Sequence, residues 1–161
     1  MNLYLLRHGE AEAHASSSAG RQLTEAGHQE VINVARQFAA KNARLDRCLV
    51  SPALRTQQTA DTFLSMLFDA PEAETVEELS ANQRAAGIMK FLEPSREGNI
   101  LLVSHNPILS ELLALLTRGN IDGLYILETA NLACVSLDII GLGMGNCPWI
   151  LEPDPNQVQS S

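Results

Sequence analysis

Three short, largely apolar runs, LYLL at 3–6, RCLV at 47–50 and ILLV at 100–103, are each followed by a segment whose apolar residues recur at helical spacing. Runs of that length suit strands covered on both faces. Strands alternating with helices lead to a largely parallel sheet with helices packed against it, an α/β architecture. The helices carry their own start signals. Thr24 is placed as the N-cap of a helix to about Ala40, with Val31, Ile32, Val34, Ala35 and Phe38 mainly on one face. Ser51-Pro52 reads as N-cap plus first-turn proline for a helix to about Phe68, and Asn106-Pro107 as the same device for a helix to about Thr117. Between them stand a weak strand around 74–78 and a capping box at Ser80–Gln83 opening a helix to about Leu92. LACVSLDI at 132–139 and PWIL at 148–151, joined by a Gly-rich turn, read as a hairpin at the sheet edge. Residues 1–153 are expected to form one domain, and 154–161 a polar tail without order.

Composition removes several classes. Hydrophobic residues are 45% of the 161 and charged ones 19%, an ordinary globular balance. No apolar stretch is long enough to span a membrane, and the N-terminus reads as no secretion signal, so a cytoplasmic protein is expected. Cys48, Cys134 and Cys147 are odd in number and widely spaced, and read as apolar thiols in a reducing compartment. A net charge of −8 argues against nucleic acid as partner. Any anion site must therefore be built locally, against the global field.

The polar residues at the strand ends supply such a site. Ligands of open parallel sheets sit beyond the carboxyl ends of the strands. The first strand runs into Arg7-His8-Gly9, the second into Ser51-Pro52 with Arg55 one helical turn later, and the fourth into Ser104-His105. Arg21, in the loop after the first strand, can fold over the same edge. Planar guanidiniums match the oxygens of a phosphoryl group with paired hydrogen bonds. An imidazole beside them can take the phosphoryl group as a covalent intermediate, and a charged second imidazole would help balance it. Gly9 would allow close backbone approach after the nucleophile. His14 and His28, in a loop and on a helix, are expected to face solvent. Glu10 and Glu12 are candidate metal ligands, but arginines around the histidines would repel a cation, so no metal and no cofactor is expected.

LRHGEA at 6–11, LTEAG at 23–27, SPALRTQQTA at 51–60 and VSHNP at 103–107 occur in the order, and together resemble the motifs, of the histidine phosphatase superfamily, the phosphoglycerate mutase-like group. The resemblance implies a three-layer α/β/α sandwich, mostly parallel with antiparallel edge strands, in which the fourth strand lies beside the first. It implies His8 as the phosphorylated nucleophile, with Arg7, Arg55 and His105 as the phosphate pocket. Arg21 resembles a further pocket arginine of some members.

Two departures narrow the reading. Mutase-type members often carry an asparagine where His14 stands, and larger members insert a lid after the third strand that supplies a carboxylic acid. Here the stretch between the third and fourth strands has room for one helix and a turn, and Leu79-Ser80-Ala81 stands where the acid glutamate would be, with Glu77 and Glu78 nearby. An alkoxide leaves poorly without a general acid, whereas a phosphorylated imidazole leaves readily. The short, lidless form resembles SixA-type phosphohistidine phosphatases, which implies an enzyme of signal transduction with a phosphohistidine-bearing protein, a phosphotransfer domain or carrier, as partner; an open site makes a monomer the default expectation. A phosphate monoesterase using Glu77 or Glu78, and a non-catalytic phosphate-binding module, stand as alternatives.

Overall fold

Strand β1 (Asn2–Arg7) lies between β4 (Asn99–Ser104) and β5 (Leu132–Leu137), near the middle of a six-stranded sheet of order β3-β2-β4-β1-β5-β6. The structure, a computed structural model, describes residues 1–95 and 98–158. β2 (Arg47–Val50) and β3 (Ala73–Thr75) continue the parallel part, while β5 and β6 (Gly145–Leu151) form the antiparallel hairpin at the other edge.

Alternation along the strands divides the core in two. Leu3, Leu5, Leu49, Ile100 and Leu102 face one side, against Ile88 and Leu92 of α3 (Ala85–Leu92) and Leu109, Leu112 and Leu116 of α4 (Ile108–Arg118). Tyr4, Leu6, Cys48, Val50, Leu101 and Val103 face the other, against Val31, Val34 and Phe38 of α1 (Glu25–Ala39) and Ala60 and Phe63 of α2 (Leu54–Ser65). Both faces are thus covered by helices, in three layers. Each fully buried Leu or Phe contributes about 1.5–3 kcal/mol. Tyr4 meets Phe38 edge to face with ring centroids 5.0 Å apart.

The Thr24 cap forms as expected, its hydroxyl accepting from the Gly27 N–H. On the face of α1, Asn33 is buried and Ile32 only half-buried, because Asn33 ties the end of the chain down through Gln157 and the Asp154 N–H. The other starts differ from expectation. α2 begins at Leu54 after Ala53, not at Ser51-Pro52, and ends at Ser65. α4 begins at Ile108 with Pro107 at the cap, and α3 begins after Arg84 rather than at a Ser80 box. In each case the polar side chain is engaged elsewhere: Ser51 with His105, Asn106 with the Leu127 carbonyl, Ser80 with Glu77.

Between β3 and β4 the described residues form a 3-10 turn (Glu77–Leu79) and α3, with no lid insertion among them. Residues 155–158, expected to lack order, form a short helix, α5 (Pro155–Val158), and 159–161 lie outside the described residues. No helix among the described residues is long and apolar enough to cross a membrane.

Candidate active site

The ladder between β1 and β4 pairs Arg7 with Ser104, so the next residues, His8 and His105, emerge side by side at the carboxyl edge. The His8 N–H donates to the Ser104 carbonyl (3.1 Å), and the His8 carbonyl accepts from the Ala130 N–H (3.1 Å). The two rings stand 5.5 Å apart, centroid to centroid, at 63°. β2 ends beside β4 and delivers Ser51, and Arg55 follows in the first turn of α2. Arg55 Nη1 donates to the Ser18 carbonyl (2.8 Å), tying α2 to the 3-10 turn (Ser18–Gly20) that leads into Arg21. The charges of Arg7, Arg21 and Arg55 all act on both imidazoles.

Hydrogen bonding settles the tautomer of His8. Its Nδ1 lies 2.8 Å from the Gly9 carbonyl, an oxygen that can only accept, so Nδ1 carries the hydrogen. Nε2 therefore keeps its lone pair. Burial, then the charges of Arg55, Arg7 and Arg21, push the His8 pKa down to about 4 against the opposing pull of the Gly9 hydrogen bond. A neutral imidazole is the nucleophilic form. His105 is held down to about 3, by burial first and by Arg55 next. The charged second imidazole expected from the sequence is thus neutral in the free site, because three guanidiniums already occupy its surroundings. A phosphoryl dianion would offset the charge of those guanidiniums. Burial and the Arg21 charge also lower the Arg55 pKa.

Five buried nitrogens have no partner among the described residues: Nε of Arg7, Arg21 and Arg55, Nδ1 of His105 and Nδ2 of Asn131. Buried donors are normally paired. Four of these belong to residues singled out from the sequence, so the unmet hydrogen bonding falls where an anion is expected. Neither Arg21 nor Arg55 is in an ion pair among the described residues, and Arg7 reaches only the largely exposed Glu128 at 4.0 Å.

Gly9 allows the close backbone approach expected of it, and the backbone that approaches is the start of α1. A Cβ there would lie 2.7 Å from the Gly27 carbonyl oxygen and 3.0 Å from Val31 Cγ2. A Cβ on Gly27 would in turn overlap the Glu10 carbonyl oxygen. The two glycines let the turn after His8 and the start of α1 touch backbone to backbone, which joins RHGE to LTEAG in space. The Gly9 N–H also donates to Thr59 Oγ1 (3.1 Å), itself bonded to the Arg55 carbonyl (2.8 Å).

A second support was not visible in the sequence. The Leu127 carbonyl accepts from Arg7 Nη1 (2.8 Å) and Asn106 Nδ2 (2.6 Å). Ser110 Oγ donates to Asn106 Oδ1 (2.8 Å) and accepts from the Leu127 N–H (3.0 Å). Leu127 takes part through its backbone, so no side-chain pattern announces it.

Beside His105 opens a cleft of about 280 Å³, lined by Ser18, Ser51, Arg55 and the segment Ser80–Asn82 among others. Neither Glu77 nor Glu78 lines it; Glu77 is exposed and accepts a hydrogen bond from Ser80. His14 is exposed, whereas His28 is half-buried with Nδ1 2.9 Å from Thr62 Oγ1, a departure from the expected exposure. Among the described residues no three His, Cys, Asp or Glu side chains gather as a metal-ligand set, Glu10 and Glu12 included. Glu10 Oε1 instead accepts from the Thr24 hydroxyl.

Comparison with known proteins finds relatives of the chain as a whole. A model of the histidine phosphatase superfamily (branch 1) matches residues 3–79. The phosphohistidine phosphatase SixA of Escherichia coli (strain K12) is 31% identical over 156 residues, 95% of this chain and 94% of that one. A SixA homolog of Haemophilus influenzae is 33% identical over 126 residues, 71% of this chain and 76% of that one. The solved structure of the protein histidine phosphatase SixA complexed with tungstate superposes with a TM-score of 0.87 at 29% identity, over 95% of this chain and 97% of that one.

Proposed function

The chain belongs to the histidine phosphatase superfamily, and from that premise we propose that it is a protein phosphohistidine phosphatase with His8 as its nucleophile. The observation that carries the reading is the neutral His8 ring, its Nε2 left free by the Nδ1 hydrogen bond to Gly9, set among buried donors that lack partners. The SixA relatives supply the substrate class.

The reaction follows from these groups. A phosphohistidine on the partner protein enters the cleft, and Arg7, Arg21 and Arg55 take its phosphoryl oxygens. His8 Nε2 attacks phosphorus in line, and the N–P bond to the partner's phosphoimidazole breaks; that ring, already protonated on its other nitrogen, takes back the electron pair and leaves as neutral imidazole. Phospho-His8 then loses its phosphoryl group to water, which adds its oxygen to phosphorus and restores the lone pair on Nε2. His105 donates a hydrogen bond to the transferring group throughout. No step requires a carboxylic acid, in keeping with a cleft that Glu77 and Glu78 do not line. A metal is unnecessary in this scheme, because the guanidiniums supply the positive charge. The free thiols of Cys48, Cys134 and Cys147 suit a reducing cytoplasm, and an open cleft suits a monomer meeting a protein surface.

The test compares the protein with His8→Ala on a phosphohistidine-bearing phosphotransfer domain and on a panel of phosphate monoesters, with chelator present. Rapid His8-dependent loss of phosphohistidine, slow monoester turnover and an acid-labile phosphate on His8 are expected. Fast monoester hydrolysis would assign a small phosphoester instead, and absence of any turnover would reduce the site to a phosphate-binding module.

A further inference from the structure

Ser51 is 1% exposed, and each of its polar groups is committed. Its N–H donates to the Val103 carbonyl (3.0 Å), and its own carbonyl accepts from Thr56 Oγ1 (2.9 Å) and Gln57 Nε2 (2.8 Å). The backbone is therefore held from both sides, and its hydroxyl lies 2.8 Å from His105 Nε2. That is the hydroxyl's one hydrogen bond among the described residues. His105 is 2% exposed, and its other nitrogen, Nδ1, is buried and unpartnered.

A neutral imidazole has one N–H and one lone pair, so the direction of the Ser51 hydrogen bond decides what Nδ1 presents. If Nε2 carried the hydrogen and donated to Ser51, Nδ1 would present a lone pair to an incoming dianion. If the serine hydroxyl donates to Nε2, Nδ1 carries the hydrogen and presents a donor. A hydroxyl can turn either way, and among the described residues no other acceptor competes for its proton. The cleft is built for anions, which favours the second arrangement.

We propose that Ser51 is a positioning residue that fixes the tautomer of His105, donating its hydroxyl proton to Nε2 so that Nδ1 carries the hydrogen offered to the transferring phosphoryl group. Both histidines then present opposite faces of the same tautomer: His8 offers the Nε2 lone pair, and His105 offers the Nδ1 hydrogen. The inference rests on the proposed phosphatase reading for where the phosphoryl group sits, but the tautomer itself belongs to the free protein.

The experiment is long-range proton–nitrogen correlation NMR on the full chain, ¹⁵N-labelled at histidine, near neutral pH and without ligand. The His105 spectrum is expected to show a protonated Nδ1 and a bare Nε2. Ser51→Ala is expected to shift His105 toward the Nε2–H form and to lower kcat on the phosphohistidine domain about 10–100-fold with little change in KM. Ser51→Thr, which keeps a hydroxyl, should restore the tautomer and most of kcat. A wild-type His105 found in the Nε2–H form overturns the proposal, even if the variants fold poorly. So does a Ser51→Ala protein that loses turnover with the tautomer unchanged. A wild type with the expected tautomer but no phosphohistidine turnover would instead defeat the functional reading.

Discussion

Residues 3–6 of β1 lie in a sheet interior where side chains are apolar, closely packed and covered by helices on both faces. One residue further on, the same strand ends at a site where, among the described residues, buried nitrogens lack partners, two imidazoles are held neutral and, of three guanidiniums, one alone reaches a carboxylate, Arg7 to Glu128 at 4.0 Å. The interior gains free energy when the chain folds; the edge loses some, by desolvating polar groups and crowding like charges. An arriving dianion reverses the second balance, supplying acceptors and negative charge together. The difference teaches that this fold stores its stability a few ångströms from where it holds its reactivity, the two joined by the backbone ladder and by hydrogen bonds such as those to the Leu127 carbonyl.

A pair of substitutions on one strand would break that comparison if it is wrong. His8→Ala should remove phosphohistidine turnover by at least about 10³-fold while leaving thermal stability unchanged or raised. Leu5→Ala should do the reverse, costing about 2–5 kcal/mol of stability and affecting turnover only through the unfolded fraction. Urea melts and turnover on the same samples read both effects. Destabilisation by His8→Ala comparable to that by Leu5→Ala would show the edge to be part of the core.

The pH dependence of stability sharpens the contrast. His8 and His105 have folded pKa values of about 4 and about 3, below the ordinary 6.5, so between these limits the unfolded chain binds protons that the folded one does not. Stability from this source is complete above pH 6.5 and falls with pH through the window down to about 4 for His8 and about 3 for His105. The loss should reach a few kcal/mol for each group, at about 1.4 kcal/mol per pH unit. Urea melts across this range are expected to show it, and His8→Asn should flatten the slope by one proton's share. A smaller effect comes from inorganic phosphate, which should stabilise the protein by about 2.7 kcal/mol at a hundred times its dissociation constant. That gain should be largely absent in Arg55→Ala, as calorimetry would show. The smallest concerns a charge pair outside the site. Arg47 meets Glu74 at 2.9 Å with both side chains partly exposed, and Glu74→Ala should cost under about 1 kcal/mol and leave turnover unchanged.

What the sequence disclosed follows the same division. Strand runs, helix faces and the four motif blocks are side-chain patterns, and they led to the parallel sheet and its antiparallel hairpin. The helix starts were misread for an instructive reason. Ser51 and Asn106 look like caps because short polar side chains before a helix usually are, yet here both are drawn away into the site, one to His105 and one to the Leu127 carbonyl. The roles of Leu127 and of the Gly9–Gly27 contact rest on backbone atoms, which no residue type encodes directly. The depressed pKa of His105 likewise depends on how closely three loops converge, a distance that spacing along the chain does not contain.

The in-register pairing of β1 with β4 acts as a ruler. Adjacent strands in any sheet lie about 4.8 Å apart, so the spacing of His8 and His105 is set by the geometry of peptide hydrogen bonding rather than by the loops around them. The stretch between Ser80 and Ala85, beyond the Leu79 carbonyl that Ser104 Oγ holds at 2.7 Å, can therefore be lengthened, shortened or exchanged without recalibrating the pair. Grafting a covering segment there would change which molecules are admitted while leaving the reactive centre in register, which makes that connection a natural place to redirect the enzyme by design.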